Sequence, residues 1–244
     1  MTLILCLKGT DGMVLASDSR GTFGDPKGVT AQNDNQKKVY ELSNFSGMLI
    51  AGTGEIGAMA YGEIKRQIEK DGKNNAGVSE VMESARKTLK DKFDEWFSPQ
   101  RFQLQPIQGV PAPVRPDLAV IIGGYDLVDG MTKTQRIYTL LSPYNFAPML
   151  HDYGFALQGI GQYALYLLNR LYRQDSTTKN LISLAAYVLA ETASQDGKVG
   201  GPIQIMTVTS QGTKQLSEAE VTEVVKGNDK RKDALRDSFY GRAS

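Results

Sequence analysis

Histidine and cysteine are almost missing from this chain: its 244 residues include one of each, His151 and Cys6. A single cysteine excludes an intramolecular disulfide framework and any cysteine-rich metal site. A single histidine excludes a multi-histidine metal centre and leaves one candidate for a Ser-His-Asp hydrolase. An enzyme built on this chain is therefore expected to draw its general base from another group. His151 follows the Pro-containing stretch SPYNFAPML and reads as a surface or turn residue. No apolar run approaches the ~20 residues of a membrane-spanning helix. The N-terminus also lacks the charged region and long apolar stretch of a secretory signal. The expectation is a soluble cytoplasmic protein with no membrane partner. Charge of one sign is lacking too: 28 Lys+Arg against 27 Asp+Glu leave a formal net charge of +1. Nothing in that balance argues for nucleic acid, and no cofactor or metal is expected.

The remaining composition is that of an ordinary globular chain, and its hydrophobic periods change along the sequence. Leu3, Ile4, Leu5 and Leu7, the turn Thr10-Asp11-Gly12, and Met13 to Ala16 read as a β-hairpin, with Cys6 as a core side chain. Residues 21–35, rich in Gly, Asp, Asn and Pro, read as a loop. Strands follow at 37–42 and 48–52. Ile56, Ala60, Ile64 and Ile68 then mark an amphipathic helix, and Val78, Met82, Ala85, Leu89 and Phe93 a second. Five prolines between Pro99 and Pro116 exclude a regular helix or central strand, so 98–116 reads as a long loop or lid inserted in the domain. Further strands are expected at 118–125, 136–141, 155–158, 203–209 and 213–216, and helices at 162–172 and 181–192. Ser217-Glu218-Ala219-Glu220 fits a capping box opening a last helix.

Strand groups flanked by helix pairs predict two antiparallel sheets packed together with helices outside. That is an α+β, four-layer αββα sandwich in a single domain over 1–226, followed by a charged C-terminal helix and tail over 227–244.

Thr2 is the first residue of chemical interest. Threonine is small enough for removal of a preceding methionine, which would leave a hydroxyl and a free α-amine on one residue; a retained Met1 would block this. An α-amino pKa of ~8 suits a general base where no histidine stands nearby. The pairing is one of the recognised ways to activate a hydroxyl nucleophile. Asp18, directly after an apolar strand, suits either a surface turn or a buried partner for Lys38. Such a pair would place an ammonium beside the threonine without leaving it an isolated buried charge. Gly52 ends the strand LIAG, where a backbone N–H can face a reacting carbonyl; a plain strand-to-helix turn fits equally well.

Thr2, GTDGMVLASDSR, KKVYEL and SGMLIAGTGEIG follow, in order, the pattern of the proteasome β-subunit family and its simpler bacterial relatives HslV and Anbu, and the chain is identified as resembling them. The 16-residue separation of Thr2 and Asp18 (18 − 2) equals the family's nucleophile-to-acid spacing. The resemblance extends over about residues 2–210 and is most specific in the first sixty. IIGGYD, ending at Asp126, Gly159-Ile160-Gly161, and Asp196 followed by Gly200-Gly201 match further family segments.

The resemblance implies an N-terminal-nucleophile fold, with Thr2 as nucleophile, Asp18 and Lys38 as its charge pair, and Gly52 as oxyanion donor. It further implies Asp196 as a group orienting the amine, Arg20 as a supporting residue, and Ile50 and Ala58 lining a pocket for an apolar or small P1 side chain. Polypeptide substrates, self-assembly into a ring or stacked rings, and an ATPase or other regulatory partner are implied by the same likeness. Two family serines are replaced by Ile160 and Val199, which removes hydroxyls from around the amine. Acyl transfer to an amine (a transpeptidase or amide ligase), hydrolysis of a small amide, and a catalytically silent ring-forming subunit are the alternatives.

Overall fold

The computed structural model describes residues 2–25, 28–97, 115–128 and 132–241. Strands β1 (Leu3–Lys8) and β2 (Gly12–Ser17) form the expected hairpin, joined at Asp11. The segment 21–35, expected to be a loop, instead holds β3 (Gly21–Asp25) and β4 (Gly28–Asn33), a two-stranded antiparallel ribbon. At the end of β4 the residues Ala31, Gln32 and Asn33 are all exposed, so no apolar alternation marks that stretch for a hydrophobic-period reading.

β5 (Val39–Ser43) and β6 (Ser46–Gly52) lead into α1 (Gly54–Lys70) and α2 (Val78–Trp96). Most of the Pro-rich stretch, 98–114, lies outside the described residues; beyond it run β7 (Leu118–Val128) and β8 (Thr132–Leu141). A two-residue strand not anticipated from sequence, β9 (Met149–Leu150), precedes β10 (Phe155–Gly159). The chain continues through α3 (Gln162–Leu171), α4 (Thr178–Gln195), β11 (Gln204–Thr209), β12 (Gly212–Gln215) and α5 (Glu218–Phe239). Ser217 and Glu220 make the full capping box, and α5 runs without a break through Gly227.

Two five-stranded antiparallel sheets result, in the orders β10-β1-β2-β11-β12 and β5-β6-β7-β8-β9. Three apolar clusters define the four layers. Ile4, Cys6, Met13 and Leu15 of one sheet meet Leu49, Ile121 and Ile137 of the other. Leu3, Leu5, Val14 and Ala16, on the opposite face, pack on Leu168, Leu181, Ala185 and Leu189 of α3 and α4. Met48, Ile50, Val120 and Leu140 pack on Ile64, Ile68, Val81, Leu89 and Phe93 of α1 and α2. Because both faces of β1 are buried, its sequence LILCLK is apolar nearly throughout rather than alternating. No described helix is long and apolar enough to cross a membrane.

Candidate active site

The β1–β2 hairpin brings Thr2, just before β1, next to Asp18, just after β2. The ladder pairs Ile4 with Ser17, and the amide of Asp18 donates to the carbonyl of Leu3 at 3.3 Å. Thr2 and Asp18 are buried, as is Lys38, which enters from the residue before β5.

Asp18 collects the donors of the site. Its Oδ1 accepts from Thr2 Oγ1 (3.3 Å), the Leu3 amide (3.0 Å) and Lys38 Nζ (2.8 Å). Its Oδ2 accepts from the amides of Arg20 and Gly200, each at 3.1 Å. Both carboxylate oxygens are thus supplied with donors although the side chain is buried. Lys38 Nζ also donates to the carbonyl of Arg20 at 2.7 Å. Burial pushes the Lys38 ammonium below its ordinary value, while the charge and hydrogen bond of Asp18 oppose that shift.

The main chain of Thr2 is fixed by the turn after β10. The Ile160 amide donates to the Thr2 carbonyl at 2.8 Å, and Gly159, at φ +95°, passes so close that a Cβ there would strike that carbonyl. Ile160 and Val199, which stand where the resemblance expects serines, belong with the apolar layer between the first sheet and its helices. Their side chains thus serve packing. Asp196 caps the end of α4, and its Oδ1 accepts from the Lys198 amide at 2.9 Å. The hydrogen bonds among the described residues do not join its carboxylate to Thr2.

Gly52 ends β6 at φ +115°, a region open to glycine, and a Cβ there would collide with the carbonyl of Asp117. The Ile50 amide donates to the Lys38 carbonyl at 3.0 Å. Strand alternation turns the N–H of Gly52, two residues on, toward the same side, where a pocket opens. That pocket, about 270 Å³, is lined by Thr2, Lys38, Gly52, Ile50 and Ala58 together with Gln36, Lys37, Tyr40, Ala51, Gly54 and Glu55. Of the eight sequence candidates, Thr2, Asp18, Lys38, Gly52, Ile50 and Ala58 therefore gather at one place, Arg20 touches it through its main chain, and Asp196 stands off.

Sequence reasoning missed Asp34. Its carboxylate takes a two-pronged ion pair from Arg20 (Nε to Oδ1 2.7 Å, Nη2 to Oδ2 2.8 Å), and its carbonyl accepts from Ser19 Oγ at 2.6 Å. The bond to Arg20 holds the Asp34 carboxyl below its ordinary value. Arg20 Nη1 and Gln32 Nε2 both donate to the carbonyl of Gly197. This clamp closes the base of the β3–β4 ribbon and fixes the Arg20 peptide groups that serve Asp18 and Lys38. On the catalytic role that the resemblance implies for Thr2, Asp34→Ala is expected to lower kcat on the order of tenfold through misplacement. Tm should move little, because the pair is partly exposed. Steady-state kinetics beside a thermal melt check both parts, and Arg20→Lys, which keeps charge but loses the planar fork, should fall between.

The layer order, the sheet topology and a threonine leading into the first strand define the αββα sandwich of the N-terminal-nucleophile hydrolases. Residues 2–99 match the proteasome subunit family model. The chain is 26% identical over 227 residues to a proteasome subunit beta of Methanocaldococcus vulcanius, covering 91% of this chain and 87% of the relative. It is 28% identical over 236 residues to a proteasome subunit beta of Streptomyces griseus, covering 92% and 75%. With the proteasome subunit beta of Nanoarchaeum equitans it shares 26% identity over 218 residues, covering 88% and 97%. The chain is thus similar to proteasome β subunits over about nine-tenths of its length, and residues 2–99 carry the family-model match.

Proposed function

We propose that the chain is a proteasome-like threonine endopeptidase in which Thr2, freed by removal of Met1, is the nucleophile. The observation that carries this reading is the buried Thr2–Asp18–Lys38 set opening onto a pocket edged by Gly52. The similarity to proteasome β subunits supports it.

In this mechanism the α-amine of Thr2 takes the hydroxyl proton as Oγ1 adds to the substrate carbonyl. The Lys38 ammonium favours the developing alkoxide, and Asp18 keeps that ammonium charged and in place. The tetrahedral oxygen accepts from the Gly52 N–H. Collapse breaks the C–N bond, the ammonium of Thr2 returns its proton to the leaving amine, and an ester on Thr2 remains. Water, deprotonated by the same amine, then hydrolyses the ester and regenerates Thr2. With Asp196 turned to Lys198 and no hydroxyl at positions 160 and 199, the amine relies on the fixed Thr2 main chain for its orientation.

Ile50 and Ala58 form apolar walls for the P1 side chain. The same reading makes the protein a cytoplasmic homo-oligomer, a ring or stacked rings enclosing its sites, fed by an ATPase or another regulator.

The deciding experiment is intact-protein mass spectrometry before and after an electrophile selective for N-terminal threonine. Loss of Met1 and a single adduct are expected, with no adduct on Thr2→Ala. A retained Met1, or a processed chain that never takes the label, would sink the peptidase reading and leave a silent ring-forming subunit. Transfer of the acyl group from the Thr2 ester to an added labelled amine, forming a new amide, would instead mark transpeptidation.

A further inference from the structure

The side chain of Gln36 occupies an unusual place in the pocket beside Thr2. It lies between two glycines from separate elements, Gly21 at the start of β3 and Gly54 at the start of α1. A Cβ on Gly54 would come within 2.8 Å of its Nε2 and 3.0 Å of its Oε1, and a Cβ on Gly21 would meet the same amide. The two glycines thus form a slot that only a flat group fills while neither neighbour carries a side chain. The backbone of Gln36 is fixed independently: its amide donates to the Ser19 carbonyl at 3.0 Å, and its carbonyl accepts from Gln204 Nε2 at 2.6 Å. The carboxamide itself, which can donate twice and accept twice, makes no hydrogen bond to another described residue, and it lines the pocket.

The remaining walls divide the pocket by chemistry. Tyr40, Ile50 and Ala58 offer apolar surface for an aliphatic stem. Lys37, with Nζ 5.1 Å from the Tyr40 ring centroid, and Glu55 bring opposite charges to the rim, so neither sign is favoured. A volume of about 270 Å³ leaves room for a mid-sized side chain.

Resting on the peptidase reading above, we propose that Gln36 determines specificity, selecting a P1 residue with an aliphatic stem and a neutral hydrogen-bonding end, glutamine fitting best. A side-chain amide on the substrate pairs with the slotted carboxamide as donor and acceptor at once. A leucine of similar length leaves both groups unpaired in a partly desolvated site, which is the larger source of discrimination.

The test uses the full-length processed protein and four fluorogenic peptide amides differing only at P1: Gln, Leu, Glu and Lys. Wild type is expected to give its highest kcat/KM with Gln. In Gln36→Ala, which vacates the slot, the Gln-to-Leu ratio should fall about five- to tenfold. Gln36→Glu, which keeps the shape but adds charge, should move the preference toward Lys. Labelling of Thr2 by a small electrophile lacking a P1 group is measured alongside, and selectivity is read as the Gln-to-Leu ratio within each protein, so that a change in Thr2 reactivity cancels. Labelling with an unchanged Gln-to-Leu ratio in both variants overturns the role of Gln36 and leaves the peptidase reading intact. A wild-type preference for Leu, Glu or Lys overturns it as well. A wild-type protein that takes no label and cleaves no peptide overturns both.

Discussion

Lys38→Met is expected to abolish turnover and to cost about 3–5 kcal/mol of stability, the usual penalty for stranding one member of a buried ion pair. Lys38 and Asp18 are both almost wholly inaccessible, and their 2.8 Å contact is the only ion pair recorded for either among the described residues. The double variant Asp18→Asn/Lys38→Met removes both charges in a similar volume and should regain much of the lost stability, since no unpaired ion remains. Its activity should stay down by on the order of 10³-fold or more, because the cation beside the attacking oxygen is gone. Urea denaturation of the four proteins gives the coupling energy, and kcat/KM on one peptide gives the chemistry. Recovery of turnover with stability would mean that the pair serves only the fold. Full activity in Lys38→Met would remove the lysine from the mechanism altogether.

The same lysine sets a pH dependence whose two readouts run in opposite directions. Burial is the larger influence on Lys38 and lowers its pKa in the native state. Activity therefore falls on the alkaline side below the pH at which an ordinary lysine would lose its proton. In the window between the native and unfolded pKa the unfolded chain holds more protons, so this group's contribution to stability rises with pH. Loss of turnover there is thus not unfolding.

The helices facing the second sheet were legible because one period governs them. Val78, Met82, Ala85, Leu89 and Phe93 recur at helical spacing and all are buried against that sheet. Thr2, Asp18, Lys38 and Gly52 were legible through a family pattern, each lying at the end of an apolar strand whose position the sequence marks. Asp34 and Gln36 were not. Both fall in a polar, glycine-rich stretch, and their importance lies in contacts made at a distance: Arg20 and Ser19 for one, the gap between Gly21 and Gly54 for the other. Asp196 shows the converse difficulty. Its place in a motif suggested a contact with Thr2, whereas local geometry at the end of α4 offers its carboxylate the Lys198 amide two residues on.

Gly52→Ala should separate the backbone of the site from its side chains. At φ +115° alanine is strained by about 1–3 kcal/mol, and its methyl group meets the Asp117 carbonyl. That carbonyl cannot simply withdraw, because it accepts from the Thr53 amide at 3.2 Å and precedes Leu118, the ladder partner of Gly52. Relief comes from rotation of the 51–52 peptide, which swings the Gly52 N–H away from the pocket. Loss of one oxyanion donor lowers kcat by about 10²–10³-fold. KM should change much less, since the donor is aligned with the tetrahedral oxygen rather than the planar carbonyl. Labelling of Thr2 by an alkylating agent with a halide leaving group, which develops no negative charge on oxygen, should proceed at nearly the wild-type rate. A Gly52→Ala protein that folds, labels and also turns over normally would assign the oxyanion to another donor, and Gly52 would then be only the tight turn into α1.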